Sequence, residues 1–486
     1  MSEEKNGIKK EEQSGLKLNI RTIIGVCAIL LVIMAVAGAL TQTVPRGLYD
    51  RSETDGMIID GTYHEIDFKL PIWKIIASPI LVFASENITT GIAIVLFIVL
   101  LGGTFLILDK IGVLRYVMAV ILKKFSDKKY ILLCVMVFVL MALSSIAGIL
   151  EETITLVPIS VAIALTLGWD SLVGIMMSFG AVAFGFSAAT FNPFNVVTVQ
   201  KLADIPVFSG LWMRFVMFLA FYILLSAFLV VYAKKIEKNP SKSICYETDK
   251  AVRERMCADD PQAILGDAGI RKSSITFFIF MACALVCVAV DFIAGLNGYL
   301  SMGGMALLFT IGGLAAGHVA GLSAKELAKN FFKGVKTIAP ALPLILFILS
   351  ITFILQEGMI VDTILYKIYG LINGVSPYKA ILMLFAFVAL LEFFIGSGTA
   401  KAFLIMPIVA PLAQLVGVSG NSLVLSFCMA DGFTNMLYPT SGLMIIAIGL
   451  VNISYGKWIK FSWKLFLLQI LLSVALMFFA IWVGYR

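Results

Sequence analysis

The sequence predicts an all-α polytopic membrane protein, and three observations predict this fold class. Of its 486 residues, 60% are hydrophobic and only 14% are charged, whereas a soluble domain carries about 25% charged residues. Long windows without a charged residue recur, among them 292–324, 402–430 and 432–456, and about 20 apolar residues suffice to cross a bilayer as a helix. The third observation is an order of elements that occurs twice along the chain.

Composition also narrows the class of function. The basic residues behind the net charge of +7 cluster at the ends of apolar segments, where they report membrane topology, so no nucleic-acid partner is expected. The seven cysteines form no CxxC pair, and there are only two histidines. No HExxH, GxSxG or Walker-type motif occurs, so the sequence predicts neither an enzyme nor a metal site nor a bound cofactor.

The first half of the chain is predicted to follow a polar cytoplasmic tail, 1–21, and to span 22–232. It contains two apolar segments around a polar tip, together forming the segment 130–168, and then an interrupted helix. The predicted elements are a helix at 22–42, a polar loop at 43–70, a short amphipathic helix at 71–86, a helix at 90–109, a flat basic segment at 109–129, the arms 130–149 and 153–168, and helices at 171–200 and 208–233.

A polar stretch, 233–272, is predicted to be a cytoplasmic linker to the second half, 273–486. The second half again shows two apolar segments around a polar tip, within 378–417, followed by an interrupted helix. Its predicted elements are helices near 273–296, 300–321 and 339–356, a surface segment at 358–374, the arms 378–395 and 401–417, and helices at 419–450 and 462–485.

Sequence matches between the halves predict two structural repeats. Pro158 matches Pro407 and Gly168 matches Gly417, both at a separation of 249 residues. "FGFSAATFNPF" (184–194) resembles "DGFTNMLYPTS" (431–441) at a separation of 247 residues. Because the order of elements also agrees, we expect each repeat to hold a re-entrant hairpin and an interrupted helix.

The lysine clusters orient the two repeats in opposite directions. Lysines at 123–129, in the linker, at 325–336 and at 457–464 should all be cytoplasmic. This constraint is met if 130–168 is a hairpin entering from the cytoplasm and 378–417 is one entering from outside. The expected architecture is therefore two inverted repeats with about nine full spans plus two hairpins, the amino terminus inside and the carboxyl terminus outside.

Polar and charged residues lie at the hairpin tips and at the helix breaks. Glu151 and Glu152 stand at the first tip, Lys401 at the second, and Asp431 at the second break. An ionised group is costly in hydrocarbon, so these positions are expected to face a wet site. Two carboxylates and one ammonium suit a zwitterionic substrate. Three other roles stay open: an ion pair between Glu152 and Lys401, a glutamate that carries a proton, and a glutamate that binds Na⁺.

The same segments carry a resemblance to a known family. "EETITLVPISVAIALTLGWDSLVG" (151–174), "FNPFN" (191–195), "SGTAKAFLIMPIVAPLAQLVGVS" (397–419) and "DGFTNMLYPTSG" (431–442) resemble the YfcC-like branch of the C4-dicarboxylate anaerobic carrier family, within the ion transporter superfamily. The resemblance implies a multi-pass secondary transporter of the bacterial cytoplasmic (inner) membrane. It also implies a homodimer formed by the outer helices and an elevator motion of the hairpin-containing part.

The first tip reads Glu-Glu-Thr, which departs from the Ser-Asn-Thr-like tips of related dicarboxylate carriers. We therefore expect the substrate to be a small carboxylate that bears an amino group. An amino acid fits this description, and the carrier could exchange arginine for ornithine. The alternative is an ion-coupled C4-dicarboxylate or other organic-anion carrier. Antiport and symport, and coupling to Na⁺ or H⁺, stay open. The expected substrate-binding residues are Glu151, Glu152, Thr153, Ser187, Asn192, Asn195, Ser397, Gly398, Thr399, Lys401, Asp431, Thr434, Asn435, Thr440 and Ser441.

Overall fold

The computed structural model describes residues 20–51, 59, 61–84, 88–250, 261–294, 299–339, 342–372 and 374–485, and most of these residues are helical. The described exception is a short antiparallel pair, Gly47–Leu48 with His64–Glu65, in the predicted polar loop. The predicted cytoplasmic tail lies outside the described residues, apart from its last positions. The mostly helical class that the sequence predicts is confirmed.

The helices of the first half follow the predicted order. They are α1 (Ile20–Thr43), α2 (Ile72–Leu81), α3 (Ile88–Lys110), α4 (Val113–Phe125), α5 (Lys129–Ala147), α6 (Val157–Thr166), α7 (Ser171–Ile175), α8 (Ala181–Ser187), α9 (Thr198–Leu202) and α10 (Leu211–Lys238). A 3₁₀ turn, Glu151–Thr155, stands between α5 and α6, and π-helical turns, Met176–Gly180 and Pro193–Val197, interrupt the helix predicted at 171–200.

The helices of the second half also follow their predicted order, after a short helix in the linker. Its helices are α11 (Pro261–Gly266), α12 (Ala268–Ala294), α13 (Tyr299–Val319), α14 (Ala324–Ile338), α15 (Leu342–Glu357), α16 (Val361–Ile372), α17 (Pro377–Glu392), α18 (Gly398–Leu415), α19 (Gly420–Thr434), α20 (Gly442–Leu450) and α21 (Tyr455–Trp482). The helix predicted at 419–450 is thus broken between α19 and α20, as expected.

Local capping moves two helix starts ahead of their predicted positions. The last helix was expected from 462 but begins at Tyr455, because the hydroxyl of Ser454 accepts the N–H of Lys457 at 3.4 Å. Helix α12 begins at Ala268, within the predicted linker, because the carboxylate of Asp267 accepts the N–H of Gly269 at 2.8 Å. Hydrophobicity alone places these starts too late because it does not register the polar first turn.

Five helices in the described part of the chain are long and apolar enough to cross a bilayer, and a sixth results if α15 and α16 count as one bent span. Two of the five, Lys129–Ala147 and Gly398–Leu415, are arms of the predicted hairpins. Length and composition therefore do not separate a hairpin arm from a full span. The expected count of about nine spans plus two hairpins stays a prediction.

The helices pack in two groups. The core group consists of α5–α10 and α17–α21, and the peripheral group consists of α1–α3 and α12–α15. Helix α4 packs against both groups, and α16 packs against the core group and the strand at Gly47–Leu48. The two groups are otherwise joined by few contacts.

The centre of the core group is the crossing of α8 and α19, both buried along their whole length. Glycines allow the close approach of these backbones. A Cβ added to Gly432 would lie 2.1 Å from the backbone nitrogen of Ser187, and one on Gly185 would lie 2.2 Å from the carbonyl oxygen of Met141. Small residues at helix crossings are typical of membrane interiors, where close packing drives association.

The peripheral group has apolar side chains on its outer surface. Ile275, Ile279 and Val286 of α12, with Leu307 and Ile311 of α13, are all more than two-fifths exposed. A contiguous apolar surface of this kind is unfavourable in water and fits a lipid environment. This surface supports embedding of the peripheral group in a bilayer.

Turns with the same backbone geometry recur at nearly constant separation along the chain. Gly168 (φ +85°) ends α6, and Gly417 (φ +79°) ends α18. The following residues close the turn identically, with Trp169 N–H donating to Ala164 O at 2.9 Å and Val418 N–H to Ala413 O at 2.8 Å. Two further pairs with positive φ are Gly112 with Met359 and Asp204 with Asn452.

Candidate functional site

The first hairpin tip is formed by the end of α5 and the 3₁₀ turn after it. Gly148 ends α5 in the left-handed conformation, at φ +75°. Glu151 is partly exposed and makes no ion pair with any residue that the structure describes. Thr153 is fully buried, and its hydroxyl has no hydrogen-bond partner within the described part of the chain. The side chain of Glu152 lies outside the described residues.

The first helix break is held by one serine of the hairpin arm. The hydroxyl of Ser145 donates to the carbonyl oxygen of Ala188 at 2.7 Å. The carbonyl oxygen of Ser145 accepts the N–H groups of Thr190, Phe191 and Asn192 at 2.9, 3.2 and 3.2 Å. A break at membrane depth must satisfy its free backbone groups internally. Ser145 does so, and sequence reasoning did not single it out.

The predicted polar residues around this break are engaged with the protein itself. Asn192 Oδ1 accepts the N–H of Phe194 at 2.9 Å, and Asn195 Oδ1 accepts the N–H of Val196 at 2.7 Å. The hydroxyl of Ser187 accepts a hydrogen bond from Gln469 Nε2 at 3.2 Å. The two asparagines therefore stabilise the broken backbone, and Ser187 ties it to the side chain of Gln469 on α21.

The second hairpin tip contacts both helix breaks. Ser397 caps α18, its hydroxyl accepting the N–H of Ala400 at 3.3 Å. The hydroxyl of Thr399 donates to the carbonyl oxygen of Phe194 at 3.0 Å. A Cβ added to Gly398 would lie only 2.6 Å from Asp431 Oδ2. The tip therefore lies against the first break on one side and against Asp431 on the other.

Below this tip, three ionisable side chains from three helices meet. Lys401 of α18 is fully buried, and its ammonium pairs with Glu392 of α17 and with Asp431 of α19, whose Oδ1 is 2.5 Å away. We call these three residues the buried triad. Lys401 was expected to meet either a substrate carboxylate or Glu152. Both ion pairs of Lys401 among the residues that the structure describes are with carboxylates of the second half of the chain.

The polar side chains at the second break differ in whether they have a hydrogen-bond partner among the described residues. The hydroxyl of Thr434 donates to Ala430 O at 2.7 Å, and the amide of Asn435 donates to Asp431 O at 2.9 Å. Thr440 and Ser441, by contrast, have buried hydroxyls with no hydrogen-bond partner among the described residues. The hydroxyls of Ser144 and Thr153 share this property. A buried polar atom without a partner costs free energy, so these four hydroxyls are available to a ligand.

The site is electrostatically negative. Lys401 is the one basic residue in the tip and break segments 148–155, 187–195, 396–401 and 431–441. The carboxylates of these segments are Glu151, Glu152 and Asp431, and Glu392 of α17 joins them through its ion pair with Lys401. With all groups ionised, the formal charge of the site is therefore −3. The ammonium of Lys401 is already ion-paired with two of the four carboxylates.

Comparison with known proteins identifies the family. The family model described as C4-dicarboxylate anaerobic carrier matches residues 21–482, nearly the whole chain. The chain belongs to the C4-dicarboxylate anaerobic carrier family. Membership of this carrier family makes the chain a membrane transport protein and not an enzyme, as the sequence predicts.

Two relatives in this family have been described. The chain is 28% identical over 426 residues to YfcC of Escherichia coli (strain K12), named as a candidate basic amino acid antiporter; the match covers 83% of this chain and 81% of YfcC. It is 27% identical over 378 residues to an uncharacterised protein of Haemophilus influenzae, covering 77% of this chain and 73% of that protein. The predicted resemblance to the YfcC-like branch is confirmed.

Among solved structures, the YdaH transporter of Alcanivorax borkumensis, described as having an unusual topology, is similar at a TM-score of 0.43 and 17% identity. The similarity covers 96% of this chain and 98% of the YdaH chain.

Proposed function

We propose that this carrier is a secondary active transporter of a small carboxylate bearing an amino group, namely a basic amino acid, and that it exchanges arginine for ornithine. One observation carries the proposal: Lys401, the basic residue of the site segments, is paired with two carboxylates, whereas Glu151 has no ion pair with any described residue. The charge left unpaired in the site is thus negative. A negative site favours a cationic or zwitterionic substrate over a dianion.

The geometry supports a division of roles within such a substrate. Glu151 and Glu152 at the first tip would take the guanidinium or side-chain ammonium, because charge-assisted hydrogen bonds to carboxylates are strong. The amino end of α18 at Gly398 would take the α-carboxylate, because free N–H groups and the helix dipole favour an anion there. The unpartnered hydroxyls of Thr153 and Thr440 would complete the contacts.

The proposal also assigns a role to each of the two helix groups. The matched turns at Gly168 and Gly417 support two repeats, which we propose are inverted, with about nine spans plus two hairpins. The core group, joined to the peripheral group mainly through α4, would be the moving part of an elevator. The lipid-exposed peripheral group would be the static part and the homodimer interface, in the cytoplasmic membrane of a bacterium.

A second candidate substrate is a C4-dicarboxylate, and the description of the matching family model favours it. Binding a dianion here would require Lys401 to leave Glu392 and Asp431, or several carboxyl groups to be protonated. The experiment must therefore distinguish arginine–ornithine exchange from the alternative, the ion-coupled import of succinate.

Uptake into proteoliposomes tests the proposal. Labelled arginine and labelled succinate are offered in parallel to vesicles loaded with ornithine or with buffer, with and without a Na⁺ or pH gradient. Arginine uptake that rises with internal ornithine is expected. Succinate uptake driven by an ion gradient, without arginine uptake, would overturn the proposed substrate and leave the carrier class standing.

A further inference from the structure

The buried triad is not neutral by itself. The side chains of Glu392, Lys401 and Asp431 are 3%, 0% and 1% exposed. Two carboxylates and one ammonium leave a formal charge of −1 when all three groups are ionised. An uncompensated charge removed from water is strongly unfavourable, so the buried state requires one further positive charge.

One atom of the triad is positioned to hold that charge. Asp431 Oδ1 lies 2.5 Å from the ammonium of Lys401. Asp431 Oδ2 is buried and receives no hydrogen bond from any residue in the described part of the chain. It lies directly beneath the second hairpin tip, where a Cβ on Gly398 would approach it to 2.6 Å.

Among the described residues, the neighbouring elements contribute no ion pair that would balance this charge. Helix α8 and the π-helical turn Pro193–Val197 contain no ionisable residue, and α21 contributes the neutral Gln469 at this depth. The ionisable group nearest in sequence on α19 is Cys428, which interacts with Asp431 and with Arg214 of α10. Arg214, in the first turn of α10, is fully buried and donates to Ser209 O at 2.8 Å, and it makes no ion pair with a carboxylate among the described residues.

The other charged residues on helices that pack against the triad are engaged or exposed elsewhere. Asp362 of α16 pairs with Arg51 at 3.2 Å, and Lys201 of α9 is exposed. The lysines of α21 lie in its first turns, well before Gln469 along the helix. Among the described residues, no further cation is therefore ion-paired with the triad.

We propose that the buried triad binds one exchangeable proton, held on Asp431 Oδ2, and that a cationic substrate displaces this proton. The second clause rests on the proposed function, whereas the first does not. In the balanced step, the O–H bond at Asp431 Oδ2 breaks, the proton passes to water as the tip at Gly398 lifts, and the α-ammonium group of the incoming amino acid, beside the α-carboxylate at the amino end of α18, replaces the positive charge of the proton. Lys401 acts as an internal cation and does not bind the substrate carboxylate.

Infrared difference spectra of the purified full-length protein, recorded between acidic and alkaline buffer without substrate, test the first clause. The wild type should show the C=O stretch of a buried protonated carboxyl group that disappears at alkaline pH. Asp431→Asn should lose this band, and the exposed Asp67→Asn should keep it. Gel filtration and thermal unfolding confirm that each variant is folded.

A second variant separates charge balance from a merely structural role. Lys401→Met removes the ammonium and leaves two buried carboxylates, so neutrality then requires two protons and the band should grow about twofold. If Asp431→Asn retains the wild-type band, or if Lys401→Met shows no larger band, the triad does not carry the proton. If Na⁺ removes the band at constant pH, the site binds Na⁺ and the proposal is overturned.

Proton release on substrate binding tests the second clause. Arginine added to weakly buffered wild-type protein should release about one proton per arginine bound, and Asp431→Asn should release none while Asp67→Asn behaves as the wild type. Arginine binding without proton release contradicts displacement. Absence of arginine binding refutes the proposed substrate, and in that case the infrared result still decides whether the triad is protonated.

Discussion

Thr399 donates a hydrogen bond of 3.0 Å to the carbonyl oxygen of Phe194. The donor is at the tip of the second hairpin, and the acceptor is at the break of the first interrupted helix, 205 residues earlier in the chain. A backbone carbonyl at the helix break thus accepts a hydrogen bond from the opposite half of the protein. The bond makes the position of one tip depend on the backbone of the other half.

Removing this hydroxyl should loosen the second tip. Thr399→Val keeps the shape of the side chain and loses a hydrogen bond worth about 0.5–1.5 kcal/mol. The KM for arginine uptake in proteoliposomes is expected to rise up to about tenfold, in proportion to that loss. Thr399→Ser retains the hydroxyl and should restore the wild-type KM. An unchanged KM in Thr399→Val would show that the bond does not shape the substrate site.

Glu151 is predicted to bind the cationic end of the substrate. Glu151→Gln removes a charge-assisted hydrogen bond worth about 1.5–3 kcal/mol, so the KM for arginine should rise about 10- to 100-fold. The matched control is Glu65→Gln in the polar loop, where the side chain is exposed. The prediction fails if Glu151→Gln and the control transport arginine equally well.

Local sequence signals were enough to locate the tips and breaks. Glutamates at 151–152 and a lysine at 401 interrupt apolar windows, and Pro193 and Pro439 remove backbone donors within the predicted interrupted helices. Such signals depend on a few neighbouring residues. The order and type of the helices could be predicted for the same reason.

The partners of these residues could not be predicted, because tertiary packing decides them. Lys401 could have paired with any carboxylate near the midplane, and only the packing of α17, α18 and α19 selects Glu392 and Asp431. Ser145 was missed because a serine in an apolar segment usually bonds to its own helix. Ser178 does so, donating to Gly174 O at 2.9 Å, whereas Ser145 reaches across to the broken helix.

The crossing of α8 and α19 should tolerate no side chain at Gly432. A methyl group there would lie 2.1 Å from the backbone nitrogen of Ser187, a contact that requires the helices to move apart. Gly432→Ala is expected to lower Tm clearly, since overpacking costs about 1–3 kcal/mol. Gly456→Ala, in a helix with open space around it, should leave Tm unchanged or raise it. Equal Tm values for the two variants would contradict the close crossing.

The matched turns at Gly168 and Gly417 give a stability test of the two proposed repeats. Both residues adopt the left-handed conformation, at φ +85° and +79°, where an L side chain costs about 1–2 kcal/mol. Gly168→Ala meets no neighbour and should lower Tm by the backbone strain alone. Gly417→Ala should lower it at least as much, because its Cβ would also lie 3.3 Å from Pro377. Gly370→Ala in α16, helical and open, is the control and should not lower Tm. A loss confined to one of the two turns would show that the halves do not depend on equivalent geometry.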